Sequence, residues 1–404
     1  MAFKTAILVI VLAALSPSLY DLAQKLLLMY NNAPGRFLNI NNLKSSEIKF
    51  SDTIRSCEDA LLVESKGLAI VACDSGREVW NAVMGIFIPG PTTNAEIYAY
   101  NYGSPGIPDS ESLTRFEILG YEPGADFHTL GMAYDEDTST LFVTNHRKEG
   151  RTIELFNLDL DAFTARHFRT IRHPLFRNPN SIALLNSQEF LVTNDHHFLM
   201  EDSRFLSTVE TQLGLPLATV LHVDISPLLE DPATPAKANI VARLPFPNGI
   251  EIVNETTVAI ASTTSTAVYF YTITKSKSIN ATSPTLTYKS KVKFPFWVDN
   301  IQISENGTLF AAGHPHPPTL SKYAFSRHNC GSPEILAAAD PSFQEYCRMA
   351  QTFSGVSKWT ESGGVEHIYF SDEYPTSSTA VFDSKRKVGI ITGLYANGIL
   401  VWRE

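Results

Sequence analysis

Charged side chains are scarce: Asp, Glu, Lys and Arg make up 18% of the 404 residues, against roughly a quarter in an average globular protein. Hydrophobic residues reach 44%, which excludes a disordered or fibrous chain. Basic residues are the smaller share of the charge, 32 Lys and Arg against 42 Asp and Glu, for a formal net charge of -10. No broad electrostatic footprint for nucleic acid follows from that balance, and a neutral, cationic or metal partner suits it better. No C-x-x-C or H-x-x-x-H spacing occurs, which disfavours a zinc site. The G-x-S-x-G elbow of serine hydrolases is also missing. The apolar run from Thr5 to Leu15 has signal-peptide length and is too short to cross a bilayer by itself. Residues 1–30 are therefore read as a signal peptide or an uncleaved anchor, and the protein as secreted or tethered by that segment to a membrane or lipid particle.

What is present supports an extracytoplasmic route. Glycosylation acceptor triplets begin at Asn254, Asn280 and Asn306. Four cysteines, Cys57, Cys73, Cys330 and Cys347, allow three connectivities. Cys330 and Cys347 are the natural local pair in an oxidising lumen.

From about residue 55 one phrase recurs: a polar residue, a short alternating strand, a turn, and a second strand rich in β-branched and aromatic residues. Six copies begin at Glu58, His128, Asn180, Asn248, Asn300 and Ser378. Turn formers such as Asp135-Glu136-Asp137, Asn186-Ser187 and Glu305-Asn306-Gly307 suit tight hairpins between the paired strands. One phrase per four-stranded blade predicts an all-β fold, a six-bladed β-propeller occupying residues 31–404 as a single domain behind an N-terminal hydrophobic helix. Residues 318–350 lack β character and are read as a loop insertion between the fifth and sixth phrases.

The first residue of each phrase lies at one mouth of a propeller's central channel. There the repeats supply Glu58, Asn180, Asn248 and Asn300, with Asp299 just ahead of the last. Two carboxylates and three amide oxygens on one axis make a hard site suited to calcium, which takes about six to eight oxygen ligands. His128 opens the second phrase in the same way.

Cys57-Glu58-Asp59, Phe127-His128-Thr129-Leu130, Val143-Thr144-Asn145-His146, Pro179-Asn180-Ser181, Thr193-Asn194-Asp195-His196, Pro247-Asn248-Gly249, Val298-Asp299-Asn300 and Gly313-His314-Pro315 together resemble the paraoxonase/arylesterase family, in order and over roughly residues 25–400. The resemblance implies a six-bladed propeller with calcium in its channel, acting on lactones, aryl esters and some phosphotriesters. It implies Glu58, Asn180, Asn248, Asp299 and Asn300 as ligands of a catalytic calcium and His128 with His146 as a histidine dyad. A second, structural ion would use Asp59, the Leu130 carbonyl and an acid where this chain has Ser181. The missing carboxylate weakens or empties that site. The family's disulfide between the propeller's ends has no counterpart, since no cysteine follows Cys347.

The expected activity is calcium-dependent hydrolysis of small hydrophobic esters or lactones. The ion polarises the carbonyl, and His128, oriented by His146, takes a proton from water. Asp195 and His314 stand as an auxiliary acid and histidine that assist proton transfer or tie loops together. Phe198, Phe246, Phe296 and Trp297 are candidates for an apolar acyl or aryl wall. Two alternatives have other consequences: a non-catalytic propeller that calcium merely ties together, and a propeller enzyme of gluconolactonase or strictosidine-synthase type.

Overall fold

The computed structural model describes residues 20–275 and 283–404. The expected signal segment up to residue 19 and the acceptor Asn280 lie outside them, whereas Asn254 and Asn306 are exposed at hairpin turns. Residues 20–31 are helical. Among the described residues no helix is long and apolar enough to cross a membrane.

Second strands of the repeats are built for burial on both faces. Leu68–Cys73, Leu-Ala-Ile-Val-Ala-Cys, is buried at every position, as a strand between two layers must be. Small residues such as Ala69, Ala259, Ala261 and Ala311 let neighbouring sheets approach, while Ile70, Val143, Phe142 and Phe190 fill the space between them. Phe142 and Phe190 meet edge-on at 5.5 Å between centroids. Fully burying such a side chain contributes about 1.5–3 kcal/mol. Apolar clusters of this kind sit between each sheet and the next.

The strands meander into antiparallel sheets. Pro179–Leu184, Glu189–Asn194, Ala218–Asp224 and Lys237–Leu244 make one four-stranded unit, and Pro247–Asn254 opens another. The first strands Arg55–Val63, Thr129–Asp135, Pro179–Leu184, Pro247–Asn254, Trp297–Ile303 and Ser377–Asp383 touch one another in a closed ring. The fold is an all-β propeller, its sheets radiating from that ring. Strand pairing joins the two ends of the chain. Ser45–Lys49 lies beside Ile399–Arg403, from Ser45↔Arg403 to Lys49↔Ile399, in an eight-stranded sheet that also contains Arg55–Val63.

The segment expected as a loop over 318–350 is instead helical, as Pro317–Cys330, Pro333–Ala338 and Pro341–Met349. Each begins with proline in its first turn, and the side chains of Ser332 and Asp340 cap the second and third. Those start signals have no counterpart in strand alternation. The helices interrupt a single sheet, between Leu309–His314 and Ser354–Thr360. A disulfide joins Cys330 to Cys347 across them, and a second joins the cross-strand neighbours Cys57 and Cys73.

Candidate active site

Every first strand carries a β-bulge at the same end. Residues 130–131 stand against Thr144, 180–181 against Thr193, 248–249 against Ala261 and 299–300 against Ala312, while Glu58 and Ser378 are single extra residues. A bulge breaks the in-and-out alternation and re-aims its side chain, here toward the axis. The bulges pack so closely that glycine is required at two of them. A Cβ on Gly131 would stand 2.6 Å from the Asn180 carbonyl oxygen, and one on Gly249 2.7 Å from Asn300 Cα. Threonine hydroxyls tie three of the bulges to a neighbouring one: Thr144 donates to Asn180 O at 2.9 Å, Thr193 to Asn248 O at 2.8 Å and Thr392 to Glu58 O at 3.1 Å.

This register corrects the alignment of phrases. Leu130, and not His128, is the second sheet's equivalent of Glu58, and Asp299, and not Asn300, matches Asn180 and Asn248. Strand patterning alone does not reveal where the extra residue sits.

A cavity of about 580 Å³ opens over the bulges, and Glu58, Asn180, Asn248 and Asp299 lie on its wall. All four are buried, as is Asn300. Each amide NH₂ is engaged: Asn180 Nδ2 donates to Asp195 Oδ2 at 3.2 Å, Asn248 Nδ2 to Asp299 Oδ1 at 2.6 Å, and Asn300 Nδ2 to Glu58 Oε1 at 2.8 Å. Asn180 Oδ1, Asn248 Oδ1, Asn300 Oδ1 and Glu58 Oε2 are buried without any partner. A buried polar atom left bare costs about 1–3 kcal/mol, so four in one ring form an unmet demand for a cation. Burial, and then the charges of Asp59 and Asp299, push the Glu58 carboxyl well above its usual range. The donor set is all oxygen with two carboxylates, which fits a hard divalent ion such as calcium and not a thiophilic one.

A second ring stands at the bulge end of the second strands. Asp74, His146, Asp195, Thr263, His314 and Leu394 each follow the residue paired with the one just ahead of a bulge. Several of them hold the bulge residues. His314 Nε2 is 2.9 Å from Asp299 Oδ2, Asp195 accepts from Asn180, and Thr263 Oγ1 accepts from Asn248 Nδ2 at 3.2 Å. Burial pushes Asp195 up, but hydrogen bonds led by His196 at 2.7 Å outweigh it and hold the carboxyl below its ordinary value. Asp195 and His314 are thus bonded to residues of this ring and fix how their side chains point. Asp74, Thr263 and His196 were not singled out from sequence. The repeated ends Cys73-Asp74, Asn145-His146, Asn194-Asp195 and Gly313-His314, aligned on the second strands, were the available signal.

The two histidines of the expected dyad have no side-chain hydrogen bond to each other. His128 Nδ1 is 3.2 Å from Asp74 Oδ2, and its buried Nε2 has no partner. His146 Nε2 donates to Pro179 O at 2.7 Å, and burial, followed by the charge of Arg151, pushes its pKa down to about 3. Neither lies on the cavity wall, which His196 and His314 do reach. Of the expected aromatic wall, Phe246 and Trp297 line the cavity, whereas Phe296 is fully buried between sheets.

Residues expected to hold a second ion fit one poorly. Asp59 and Ser181 line a separate pocket at the other end of the bulged strands, whereas Leu130 faces the main cavity. Asp59 Oδ1 accepts from Ala60 N at 2.8 Å and Thr379 Oγ1 at 3.2 Å, and Oδ2 from Met132 N at 2.8 Å. Its oxygens already have donors, and Ser181 adds no charge.

A family model described as Arylesterase matches residues 113–365. The chain is 30% identical over 227 residues to serum paraoxonase/arylesterase 1 of Homo sapiens, covering 55% of this chain and 57% of that one. It is 25% identical over 246 residues to serum paraoxonase/lactonase 3 of Rattus norvegicus, covering 60% and 63%. The chain thus spans little more than half the length of these curated relatives. Among solved structures, a luciferin-regenerating enzyme overlays with a TM-score of 0.48 at 10% identity, covering 91% of this chain and 93% of that one, too loose a likeness to argue from.

Proposed function

The chain belongs to the arylesterase family, and from that premise we propose that it is a calcium-dependent hydrolase that opens lactones and cleaves aryl esters in the cavity over the bulges. The observation that carries this reading is the set of four buried, unpartnered oxygens from Glu58, Asn180, Asn248 and Asn300. With Asp299 they would hold the ion, within a six-bladed ring of sheets. Bound there, calcium supplies positive charge to polarise the ester carbonyl and steady its developing oxyanion.

The chain's own residues supply the rest. Asp74 accepts from His128 Nδ1, which leaves Nε2 free to take a proton from water. His146, fixed on the Pro179 carbonyl, stays neutral and braces the strand end beside Asn180. Met84, Phe246, Trp297 and Leu394 give the cavity an apolar wall that excludes water and receives a hydrophobic acyl or aryl group. A second reading makes His314 the base, favoured by its place on that wall and its unpartnered Nδ1. The two disulfides and the exposed acceptors Asn254 and Asn306 support a secretory route.

The test is hydrolysis of phenyl acetate and a medium-chain δ-lactone with calcium, after chelation, and after calcium is restored. Loss and recovery of turnover supports the reading; a folded, calcium-bound protein without turnover refutes it in favour of a binding propeller. His128→Gln should lower kcat by about a hundredfold or more while leaving calcium affinity intact. If His314→Gln does so instead, the second reading stands.

A further inference from the structure

One buried cation has no role in that mechanism. Arg77 lies in the short turn Ser75–Glu78 that follows the first sheet's second strand. Its side chain is 2% exposed and lies on the cavity wall. Nη2 donates to Thr129 O at 2.6 Å, and Nε has no partner. Two other buried arginines are neutralised, Arg147 by Glu122 at 3.3 Å and Arg151 by Glu201 at 2.8 Å. Arg77 makes no such ion pair among the described residues.

Burying a guanidinium against one neutral acceptor is costly unless something else meets its charge. Its planar fork matches a carboxylate, which it can bind through two parallel hydrogen bonds. Ester or lactone hydrolysis generates that group. The water oxygen bonds to the acyl carbon, the acyl carbon–oxygen bond breaks, the leaving oxygen takes a proton to become an alcohol, and the new acid releases a proton to solvent.

We propose that Arg77 is the carboxylate-binding residue of this cavity, holding the acid half of the product while the acyl chain lies along Met84, Leu320 and Leu394. The inference rests on the hydrolase reading for the identity of its ligand. It assigns the cavity to substrates whose acid half is a single apolar chain ending in the new carboxylate.

The test is calorimetric titration of the full-length, calcium-loaded protein with octanoate and with the uncharged octanamide. Wild type should prefer octanoate by about tenfold or more, the size of one charge-assisted hydrogen bond. In Arg77→Met that preference should fall below about threefold, and in Arg77→Lys, which keeps charge without the fork, by about twofold to fivefold. A wild-type preference near one overturns the proposal. So does an unchanged preference in Arg77→Met, which would assign the carboxylate to the ion alone. Should Arg77→Met fail to fold, an unchanged preference in Arg77→Lys overturns it equally. An Arg77-dependent preference in a protein that hydrolyses nothing would refute the hydrolase reading and leave the anion site standing.

Discussion

The two ends of the bulged strands carry similar residues and treat them oppositely. Toward the cavity, Glu58 Oε2 and the Asn180 and Asn248 side-chain oxygens are buried with nothing to bond, and the bare Asn300 Oδ1 belongs to a residue that borders the opposite pocket while its amide holds Glu58. One residue along, Asp59 points the other way and is met by two backbone N–H groups and the Thr379 hydroxyl. Adjacent acids on one strand thus differ in kind: Asp59 is bonded to its own fold, and Glu58 is held for something the fold does not supply. Burial of a carboxylate does not by itself mark a site; the state of its lone pairs does.

That contrast can be broken in graded steps. Glu58→Gln keeps the shape and removes charge from the unmet ring. Calcium binding by titration calorimetry should be lost and hydrolysis should fall by about a thousandfold; retained calcium binding would contradict the assignment. Asp195→Asn acts one bond further out, on the Asn180 amide, and should weaken calcium by about tenfold to a hundredfold, as outer-shell partners of ligands do. Asp59→Asn should cost about 1–3 kcal/mol in denaturant unfolding by leaving a buried donor unmatched, yet change kcat by less than about threefold. A large kcat loss there would erase the distinction between the two ends.

A smaller effect is pH-dependent. Burial holds His146 at about 3 in the folded chain, against an ordinary value near 6.5. The unfolded chain therefore binds the extra proton first. Stability from this group is complete above about pH 6.5 and falls as pH drops toward 3, by up to about 1.4 kcal/mol per pH unit. Unfolding curves at successive pH values should lose that slope in His146→Gln; an unaltered slope would place the titration elsewhere.

The repeating strands were legible because a fully buried second strand must be apolar over most of its length, as Leu68–Cys73 is throughout and Thr257–Ser262 is between its polar ends. The oxygen-rich ring was legible because asparagine beside proline or glycine recurs at the start of the phrases. Its register was not, since a bulge adds a residue without altering composition, and so His128 was set in the place that Leu130 occupies. Residues that act through geometry also stayed hidden. Outside the repeat of strand ends that marks Asp74, nothing in Ser75-Gly76-Arg77 distinguishes a plain turn from one that delivers a cation to the cavity. The helices of 317–349 differ in kind: their proline starts and Ser332 and Asp340 caps are helix signals, and strand alternation carries no trace of them.

The pairing of Ser45–Lys49 with Ile399–Arg403 sets an order of events in the cell. The strand at 45–49 has no partner until residues 399–403 have emerged, so its edge waits through the production of every sheet between them. Contacts this distant in sequence slow folding, because the loop between them must be ordered first. The sheets between can form as they appear, each on its predecessor, but the ring closes only when Ser377–Asp383 reaches Arg55–Val63. Ribosome stalling shortly before residue 377 would leave Glu58, Asn180, Asn248, Asp299 and Asn300 all made, on an open, unclosed circle.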